Sequence, residues 1–455
     1  MMANDSEPGQ QRKRLRSIPS MEKILSTVEF RELAARFGRS RVKEVARSIL
    51  DRVRLEPESR DFSIPDAAAE IERALAETLG GLRRVINGTG VLIHTNLGRA
   101  PISRAIWESA GTLMDAYTDL ELDLESGQRG SRNDHISAVA AELFGAEAAL
   151  LVNNNAAAVM LVLAAIAAGR EVIVSRGELV EIGGSFRVPD VIRQGGAKLR
   201  EVGTTNRTRA SDYEDAVSRR TAAILVVHRS NFQIVGFTES PAIEEVVEVA
   251  RARKVPLVYD EGAGRVVDLA KYGFERSQTL SQTLRAGVDV VTCSTDKLIG
   301  SVQGGLILGR RAILERVASH PLMRALRVGK ESYAVTVATL RAFIAERQEE
   351  EIALYRTLAI SLDELRSRAL KMTEGLPLKV VESQSTLGGG TTPTELIPSI
   401  AVAAKGAVTR FQKTLLGNVP PLLGRIHNDR FLVDLRTVDP ADDPAVRDAL
   451  GKMLT

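Results

Sequence analysis

The sequence has little cysteine, few aromatic residues and no long apolar segment. Of its 455 residues only Cys293 is a cysteine, which excludes an intramolecular disulfide and fits a reducing cytoplasm. The longest apolar run, residues 156–168, is shorter than the roughly 20 residues that cross a membrane, so it predicts a buried helix. Residues 1–5 contain no apolar core of a secretory signal. We therefore expect a cytoplasmic protein without a membrane anchor.

Basic residues are unevenly distributed, although the net charge of the whole chain is only +3. Between Arg12 and Arg54, thirteen Lys or Arg residues accompany five Asp or Glu residues, a local charge of +8. Such a patch can bind nucleic-acid phosphates, and a solvated helical face is the alternative interpretation. Because aromatic residues make up only 4% of the chain, stacking on nucleic-acid bases is not expected in this segment.

The spacing of apolar residues predicts a small, basic helical domain over residues 1–84. Residues 1–16 are polar and contain the cluster Arg12-Lys13-Arg14, which is typical of a disordered segment. From about residue 20 to residue 79, apolar residues recur at helical spacing, with breaks near Pro57 and Pro65.

The texture changes at about Val85, where short apolar runs begin to alternate with helical segments. This alternation predicts an α/β domain over residues 85–330, with a mostly parallel sheet and helices on both faces. Its predicted strands are residues 149–152, 171–174, 223–227, 255–259, 288–292 and 305–308. Residues 331–455 are predicted to form a long linker helix, over residues 334–369, and a small α+β domain. The strands of that domain are predicted at residues 378–382, 400–403 and 431–435.

Lys297 lies in the most informative segment, Cys293-Ser294-Thr295-Asp296-Lys297, between an apolar run and the glycines of residues 300–305. A lysine at a strand end, with a hydroxyl three residues upstream and glycines downstream, suits an imine bond to pyridoxal phosphate (PLP). The amine must be partly desolvated, because only the neutral amine attacks an aldehyde. A surface lysine in a turn is the alternative interpretation.

Two further strand ends suit the same cofactor. Asn154, Asn155 and Ala156 begin a helix of small residues, and free N–H groups at a helix start bind phosphate. Asp260 ends another strand and could pair with the pyridine nitrogen of PLP, which keeps the ring protonated. Phosphate helix, aspartate and then lysine, 37 residues later, is the order of fold-type I PLP enzymes, which the chain resembles in this respect. An ordinary Asn-capped helix and a structural aspartate are the alternatives.

Three arginines and a histidine could complete the site. Arg324 and Arg327 lie three residues apart, so on a helix they share a face, and Arg99 follows a glycine. Planar guanidinium donors suit a tetrahedral oxyanion, whereas a solvated helix face is the alternative. His228 follows the predicted strand 223–227 and could contact cofactor or substrate, or be a structural histidine.

Several segments resemble bacterial selenocysteine synthase, the L-seryl-tRNA(Sec) selenium transferase family. They are residues 85–90, 94–100, 152–159, 175–184 and 202–208, together with those around Lys297, Arg324 and Gly388. The resemblance covers the chain from about Leu15 onwards. It implies the fold-type I, aspartate aminotransferase-like fold of PLP-dependent transferases, with a small helical N-terminal domain and a small C-terminal domain.

The resemblance also implies a reaction. The family converts L-seryl-tRNA(Sec) to L-selenocysteinyl-tRNA(Sec) with selenophosphate, through a PLP-bound aminoacrylyl intermediate. Lys297 falls where the family bonds PLP, and the cofactor phosphate would lie on the helix start and near Ser294. Arg99, Arg324 and Arg327 fall where the family holds the phosphate of the selenium donor. The N-terminal domain falls where the family binds tRNA, and a homo-oligomeric ring of dimers, a decamer, is expected, with no metal.

The chain departs from the family pattern in three loops. Thr295 replaces the glycine of Ser-Gly-Asp-Lys, and residues 300–303 read Gly-Ser-Val-Gln rather than Gly-Gly-Pro-Gln. After Asp260 the chain reads Glu-Gly-Ala-Gly-Arg rather than Leu-Gly-Ser-Gly-Ser. Two alternatives stay open: a PLP-dependent lyase or transferase acting on a small free amino acid or amino sugar acid, and a catalytically silent RNA-binding protein. Turnover of free amino acids would identify the first, and a colourless protein after incubation with PLP the second.

Overall fold

The chain divides into two compact units, Met1–Arg84 and Val85–Thr455. The structure, a computed structural model, describes residues 20–55, 64–79, 81–183, 186–392 and 395–454. The predicted disordered segment 1–16, with its basic cluster, lies outside the described residues, as does the predicted break near Pro57.

The described part of the N-terminal unit is helical. Its helices are α1 (Met21–Leu25), α2 (Val28–Phe37), α3 (Arg39–Leu55) and α4 (Ile64–Leu79). Side chains of Ser20 and Thr27 begin α1 and α2 by accepting hydrogen bonds from backbone N–H groups. Apolar residues three or four apart form one buried core that includes Phe30, Val42 and Ile71.

The second unit contains fifteen described strands. They are β1 (Ile86–Asn87), β2 (Ala148–Val152), β3 (Glu171–Ser175), β4 (Glu181–Ile182), β5 (Phe186–Arg187), β6 (Lys198–Val202), β7 (Thr221–Val227), β8 (Leu257–Gly262), β9 (Val290–Ser294), β10 (Gly305–Gly309), β11 (Lys379–Ser385), β12 (Ile397–Lys405), β13 (Leu422–Leu423), β14 (Arg425–His427) and β15 (Arg430–Asp434). Seven of them form the central sheet, in the order β2-β10-β9-β8-β7-β3-β6.

The central sheet is mostly parallel, as predicted. β9, β8, β7, β3 and β6 pair in parallel, whereas β10 runs antiparallel to both of its neighbours. β2 therefore points in the same direction as β9, so the carboxyl ends of β2, β7, β8 and β9 lie along one edge. Ligands of open α/β sheets bind beyond that edge.

Most helices of the second unit cover the two faces of this sheet, whereas the last three pack against β12 and β15. The helices of the unit are α5 (Arg104–Gly111), α6 (Arg132–Phe144), α7 (Asn155–Ala167), α8 (Val188–Gln194), α9 (Ala210–Ala216), α10 (Ile243–Arg253), α11 (Leu280–Ala286), α12 (Arg311–Ser319), α13 (Leu322–Leu326), α14 (Lys330–Ile344), α15 (Gln348–Glu351), α16 (Ala353–Ala359), α17 (Leu362–Thr373), α18 (Val408–Leu416) and α19 (Asp443–Leu454). Single 3-10 turns lie at Thr95–Leu97, Arg176–Glu178, Leu269–Tyr272, Leu435–Thr437 and Pro440–Asp442.

Two apolar cores lie on opposite faces of the central sheet, because successive side chains of a strand point in opposite directions. Val258 belongs to the core that contains α7 and α12, and Leu257 to the core that contains α6, α10 and α14. The apolar run that begins with α7 is a buried helix, as the sequence predicts. Among the residues that the structure describes, no helix has both the length and the apolar character that a membrane span requires.

Each of the six strands predicted for the large domain overlaps an observed strand. The sequence pattern does not predict β6, because Lys198, Arg200 and Glu201 make this strand mostly polar. β6 is the edge strand of the sheet and pairs only with β3 there. An edge strand can therefore carry polar side chains that a central strand would not.

The prediction of one helix over residues 334–369 is wrong. The chain forms α14, α15, α16 and α17 instead. Glu346 adopts a left-handed backbone at φ 57°, which ends α14. Ser361 is extended, and its hydroxyl accepts a hydrogen bond from the Glu364 N–H to begin α17. Apolar spacing continued across these breaks, and it therefore concealed them.

The C-terminal residues build a four-stranded antiparallel sheet in the order β11-β12-β15-β14. The three predicted strands of this region overlap β11, β12 and β15, whereas the short β14 was not expected. β1 pairs in parallel with β13, so that Ile86 lies opposite Leu422. The first residues of the unit are thereby attached to its C-terminal region.

Candidate active site around Lys297

Lys297 is the third residue after β9, at the carboxyl edge of the central sheet. The residue is 8% exposed, and its Nζ donates a hydrogen bond to the Gly262 carbonyl oxygen at 3.3 Å. A Cβ at Gly390 would lie 2.9 Å from this Nζ, and Gly390 has a left-handed backbone at φ 84°, so a larger residue there would be strained and would crowd the amine. Thr295 donates its hydroxyl to the Val302 carbonyl at 2.5 Å and thus closes the loop around the lysine. The interpretation of Lys297 as a surface residue is wrong.

The surroundings of Lys297 favour the neutral amine. Burial is the largest cause that lowers the pKa of Lys297, and the charge of Arg99 lowers it further. Asp296, Asp260 and Glu261 act in the opposite direction. The net lowering increases the share of neutral amine near neutral pH, which a nucleophile or general base requires.

Asp260 lies in β8, two residues before the end of the strand, and is 3% exposed. Its Oδ1 accepts hydrogen bonds from Asn155 Nδ2 at 2.7 Å and from Thr292 Oγ1 at 3.2 Å. Burial raises the pKa of Asp260 to about 6, although the hydrogen bond from Asn155 and the charge of Lys297 oppose this rise. Asp260 makes no ion pair with a described residue, so a protonated ring nitrogen would supply the missing counter-charge.

The start of α7 adjoins Asp260 through Asn155. The Asn154 side chain accepts a hydrogen bond from the Ala157 N–H at 2.9 Å and caps the helix. Within the described residues, the N–H groups of Asn155 and Ala156 have no acceptor, and the Ser294 hydroxyl has no hydrogen-bond partner. Free donors at the positive end of a helix of 13 residues suit a phosphate group.

His228 lies at the end of β7, beside Asp260. Its backbone N–H donates to the Asp260 carbonyl oxygen at 2.9 Å. Burial is the main cause that lowers the pKa of His228 to about 4, and the charge of Arg265 adds to it. The imidazole is therefore neutral near neutral pH and can pack against a flat aromatic ring without repelling a protonated nitrogen.

Arg99 lies beside the lysine segment. It has a left-handed backbone at φ 72°, and its Nη1 donates to Thr95 Oγ1 at 3.0 Å. Its Nε lies 3.6 Å from Asp296 Oδ2, next to Lys297 in the chain. A guanidinium is thus held close enough to Lys297 for its charge to lower the pKa of the amine.

Arg324 and Arg327 lie near the end of β2. The prediction that they share a helix face is wrong, because α13 ends at Leu326 and Arg327 has an extended backbone. Arg327 forms an isolated bridge with Val152, and the Asn153 N–H donates to the Leu326 carbonyl at 3.0 Å. Arg327 is thereby paired with a residue that precedes Asn154, the cap of α7, by two positions.

Both arginines line a cavity of about 380 Å³ that also contains Arg129, Arg132 and His320. Glu121 is the single acid among its lining residues, and its carboxylate contacts Arg132, Arg129 and Arg327. The hydrogen bond from Arg132 is the largest cause that lowers the pKa of Glu121. Arg99 does not line this cavity, so the structure brings together only two of the three predicted arginines.

Sequence reasoning missed several residues of the site. Thr292 bonds to Asp260, Asp296 pairs with Arg99, and Gly390 makes space for the lysine. Of these, Asp296 had a signal because it adjoins Lys297 in the chain, and Gly390 lies in the segment at Gly388 that resembles the family. Gly390 lies far along the sequence, and only the three-dimensional fold brings it to the amine.

The residues around Lys297 fit PLP, and unpaired polar groups other than the lysine amine support this fit. Asp260 is a buried carboxyl without an ion pair among the described residues, and the buried Asn155 Oδ1 likewise has no hydrogen-bond partner there. Together with the free N–H groups of α7, they provide an acceptor for a protonated ring and donors for a phosphate.

Comparisons with known families agree with this site. A family model described as L-seryl-tRNA selenium transferase matches residues 85–439. A second model, described as selenocysteine synthase N terminal, matches residues 15–54.

Individual relatives match over nearly the whole chain. L-seryl-tRNA(Sec) selenium transferase of Geobacter sulfurreducens is 44% identical over 454 residues, which cover 96% of this chain and 98% of the relative. The enzyme of the same name from Carboxydothermus hydrogenoformans is 40% identical, with 94% and 95% covered. The solved structure of D-glucosaminate-6-phosphate ammonia-lyase is similar in fold, with a TM-score of 0.61 and 22% identity over 83% of this chain and 97% of that one.

The fold predicted from the sequence, that of fold-type I PLP-dependent transferases, is confirmed. The family predicted from the motifs is confirmed as well, because a family model covers most of the chain and full-length relatives exceed 40% identity. The chain belongs to the L-seryl-tRNA selenium transferase family.

Proposed function

We propose that this protein converts L-seryl-tRNA(Sec) to L-selenocysteinyl-tRNA(Sec), with PLP as cofactor and selenophosphate as selenium donor. The observation that carries the proposal is the buried Lys297 amine at the edge of the sheet, beside Asp260 and the start of α7, in a chain of this family. The serine Cβ–O bond breaks with loss of water, and a Cβ–Se bond forms. Water cleaves the Se–P bond and phosphate leaves, so no oxidant or reductant is consumed.

The residues around Lys297 would hold the cofactor and move the proton. When bound, PLP supplies an electron sink for the electron pair left at the serine Cα. Lys297 Nζ would hold the cofactor and later take the Cα proton as general base, for which its lowered pKa is suited. Asp260 would keep the ring nitrogen protonated. The N–H groups of Asn155 and Ala156, behind the Asn154 cap, would bind the cofactor phosphate with Ser294.

The arginines would bind the phosphate group of the selenium donor. The cavity at Arg324 and Arg327 is lined by four arginines and one acid, so its field attracts an anion. Arg99 would add a further guanidinium beside Lys297, close to the carbon that receives selenium. His228 would pack against the cofactor ring. The roles of the three arginines are those of the family positions that they match in this sequence.

The N-terminal unit would bind the tRNA. Arg39, Lys43 and Arg47 follow one another at intervals of four residues on α3, so their side chains share one helix face. All three lie on the surface, and none makes an ion pair with a described residue. A stripe of free cations suits the phosphates of a folded RNA.

The protein would act in the cytoplasm, where aminoacylated tRNA is found, as a ring of dimers that forms a decamer. Large apolar side chains that are exposed in the single chain would be available for contacts between chains. They include Trp107, Tyr117, Leu124, Val235 and Phe237. Analytical ultracentrifugation of the holoenzyme should give ten chains per particle, and a monomer at micromolar concentration would refute the ring.

A reconstituted reaction tests the proposed function. The holoenzyme is incubated with selenophosphate and either seryl-tRNA(Sec) or free serine, and the aminoacyl product is identified by mass spectrometry after hydrolysis. We expect selenocysteine from the seryl-tRNA alone. Turnover of free serine, with the seryl-tRNA left unchanged, would favour the small-molecule PLP enzyme instead. Lack of any PLP absorbance would favour the silent RNA-binding protein.

A further inference from the structure

A second cavity adjoins the candidate active site, but it does not contain the cofactor residues. It has a volume of about 280 Å³ and lies at the carboxyl ends of β7 and β8, under α9 and α10. Tyr259 and Glu261, the two neighbours of Asp260 in β8, line it, whereas Asp260 and Lys297 do not. Because side chains alternate along a strand, this cavity lies on the opposite face of the sheet from the Asp260 carboxyl.

Arg265 is the unusual residue of this cavity. It is 4% exposed, yet its guanidinium makes no hydrogen bond or ion pair with any residue that the structure describes, and its Nε is fully shielded. Its hydrogen bonds are made by the backbone: the carbonyl oxygen accepts from the Leu280 N–H at 2.9 Å, and the N–H donates to the Glu261 carboxyl group. A shielded N–H without an acceptor is unfavourable, and an acceptor inside the cavity would satisfy the Nε–H of Arg265.

The acids that face Arg265 are already engaged or uncharged. Glu261 accepts hydrogen bonds from the Gly264 N–H and from the backbone of Arg265 itself. Glu178 accepts from the Val227 N–H at 3.1 Å, and burial raises the pKa of this carboxyl to about 8. Glu178 is therefore mostly protonated at neutral pH and can donate a hydrogen bond.

The remaining polar groups add positive charge or none. Arg229 lines the cavity and donates through Nη2 to Ser240 Oγ at 3.0 Å. His228 also lines it, and the pKa of its imidazole, about 4, leaves it neutral. Two arginines thus face one ionised carboxylate at most, which gives the cavity a net positive charge near neutral pH.

We propose that this cavity binds a small tetrahedral oxyanion of the phosphate or sulfate class, held by the Arg265 guanidinium, with Arg229 and the Glu178 carboxyl as further donors. Water occupies about 30 Å³ in the liquid, so the volume admits such an anion together with several waters. A forked guanidinium matches two oxygens of an oxyanion. Since His228 lines the cavity and its backbone is bonded to Asp260, the anion would lie one residue from the cofactor site. The site does not depend on the proposed reaction.

Thermal unfolding with inorganic phosphate tests this site. The holoenzyme is used, so that PLP fills its own phosphate site, and Arg324→Ala with Arg327→Ala removes the proposed donor site. In this background we expect phosphate to raise Tm, and sulfate to do the same at equal ionic strength. Adding Arg265→Gln should raise the phosphate concentration needed for the same shift by about tenfold or more, because a charge-assisted pair is lost.

Arg276→Gln is the matched control. Arg276 is an exposed arginine that pairs with Asp268, three residues after Arg265 in the chain. The variant should leave the phosphate response unchanged. Equal responses of the Arg265→Gln and parent proteins would overturn the proposal. If Arg265→Gln does not fold, a crystal structure of the parent in phosphate decides: an oxyanion on Arg265 supports the site, and water alone refutes it. Binding at crystal concentration only, without a Tm shift in solution, also counts against it.

Discussion

The two units of this protein handle charge in opposite ways. In the second unit, Lys297, Asp260 and Arg265 are each buried, and burial shifts the pKa values of the lysine and the aspartate. In the N-terminal unit, Arg39 and Lys43 are exposed to solvent. Buried charges respond to pH because solvation decides their protonation, whereas exposed charges are screened by salt. Chemistry in the second unit should therefore depend mainly on pH, and RNA binding by the first mainly on ionic strength.

Replacing the buried lysine should have the largest effect. Lys297→Ala removes the atom that would hold PLP and take the substrate proton, so we expect the cofactor absorbance at roughly 420 nm to vanish and turnover to fall at least about 10³-fold. Absorbance spectra before and after borohydride, with peptide mapping of the reduced protein, measure this. Lys271→Ala, at an exposed lysine paired with Glu349, is the control. A persisting band in Lys297→Ala would remove Lys297 from its role.

Asp260 should give the pH dependence of cofactor binding. Its pKa in the fold, about 6, lies above its ordinary value, so the folded protein favours the protonated carboxyl. The destabilisation from its ionisation therefore grows as pH rises towards about 6 and is constant above that. Only the carboxylate can pair with a protonated pyridine, so PLP affinity of the apoprotein should fall by up to about tenfold per pH unit below about 6.

Asp260→Asn sharpens this prediction. The variant cannot ionise, so its PLP affinity should be lower at pH 7 and should lack the step near pH 6. Fluorescence titration of the apoprotein with PLP from pH 5 to 8, at one ionic strength, measures both effects. An unchanged step in Asp260→Asn would assign the titration to another group, of which Glu261 is the nearest buried acid in the chain.

The sequence predicts the site residues that lie at strand ends. It does not predict the contacts between them, which depend on how the strands pair. Lys297, Asp260 and Asn155 each follow or end an apolar run, and parallel strands bring such ends to one edge. The hydrogen bond from Asn155 to Asp260 spans 105 residues, so no local pattern predicts it. Likewise, the register shift in β8 beside Asp260 decides the position of Glu261, and no local sequence pattern marks it.

Capping and burial explain the predictions that failed. Apolar spacing continued through Glu346 and Ser361, although a left-handed backbone and a hydroxyl cap interrupt the helix there. Arg327 was placed on a helix that ends one residue earlier. The burial of Arg265 without a described partner could not be predicted at all, because it depends on residues from several elements of the fold.

The exposed stripe of the N-terminal unit should be sensitive to salt. Combined replacement of Arg39, Lys43 and Arg47 by Gln removes three cations from one helix face. We expect tRNA affinity to fall about tenfold or more at physiological salt, and the slope of log affinity against log salt to decrease by about 2 to 3. Replacement of Arg36, Arg41 and Arg52 by Gln is the matched control, because those arginines are ion-paired with Glu72, Glu44 and Glu70. Equal losses in both variants would show that general charge, not this stripe, binds the RNA.

Glu121 tests the boundary between buried and exposed charge, and its effect should be the smallest. Its carboxylate is partly exposed and contacts three arginines of the proposed donor cavity, so it competes with a bound phosphate. Glu121→Gln removes this competing charge but keeps a hydrogen-bond acceptor for Arg132. Because partly exposed pairs contribute little, we expect KM for selenophosphate to fall by no more than about fivefold, with kcat unchanged. Glu108→Gln, which breaks an exposed pair with Arg104, is the control. A rise in KM would mean that Glu121 positions the arginines, and that this cavity is preorganised in the same way as the lysine site.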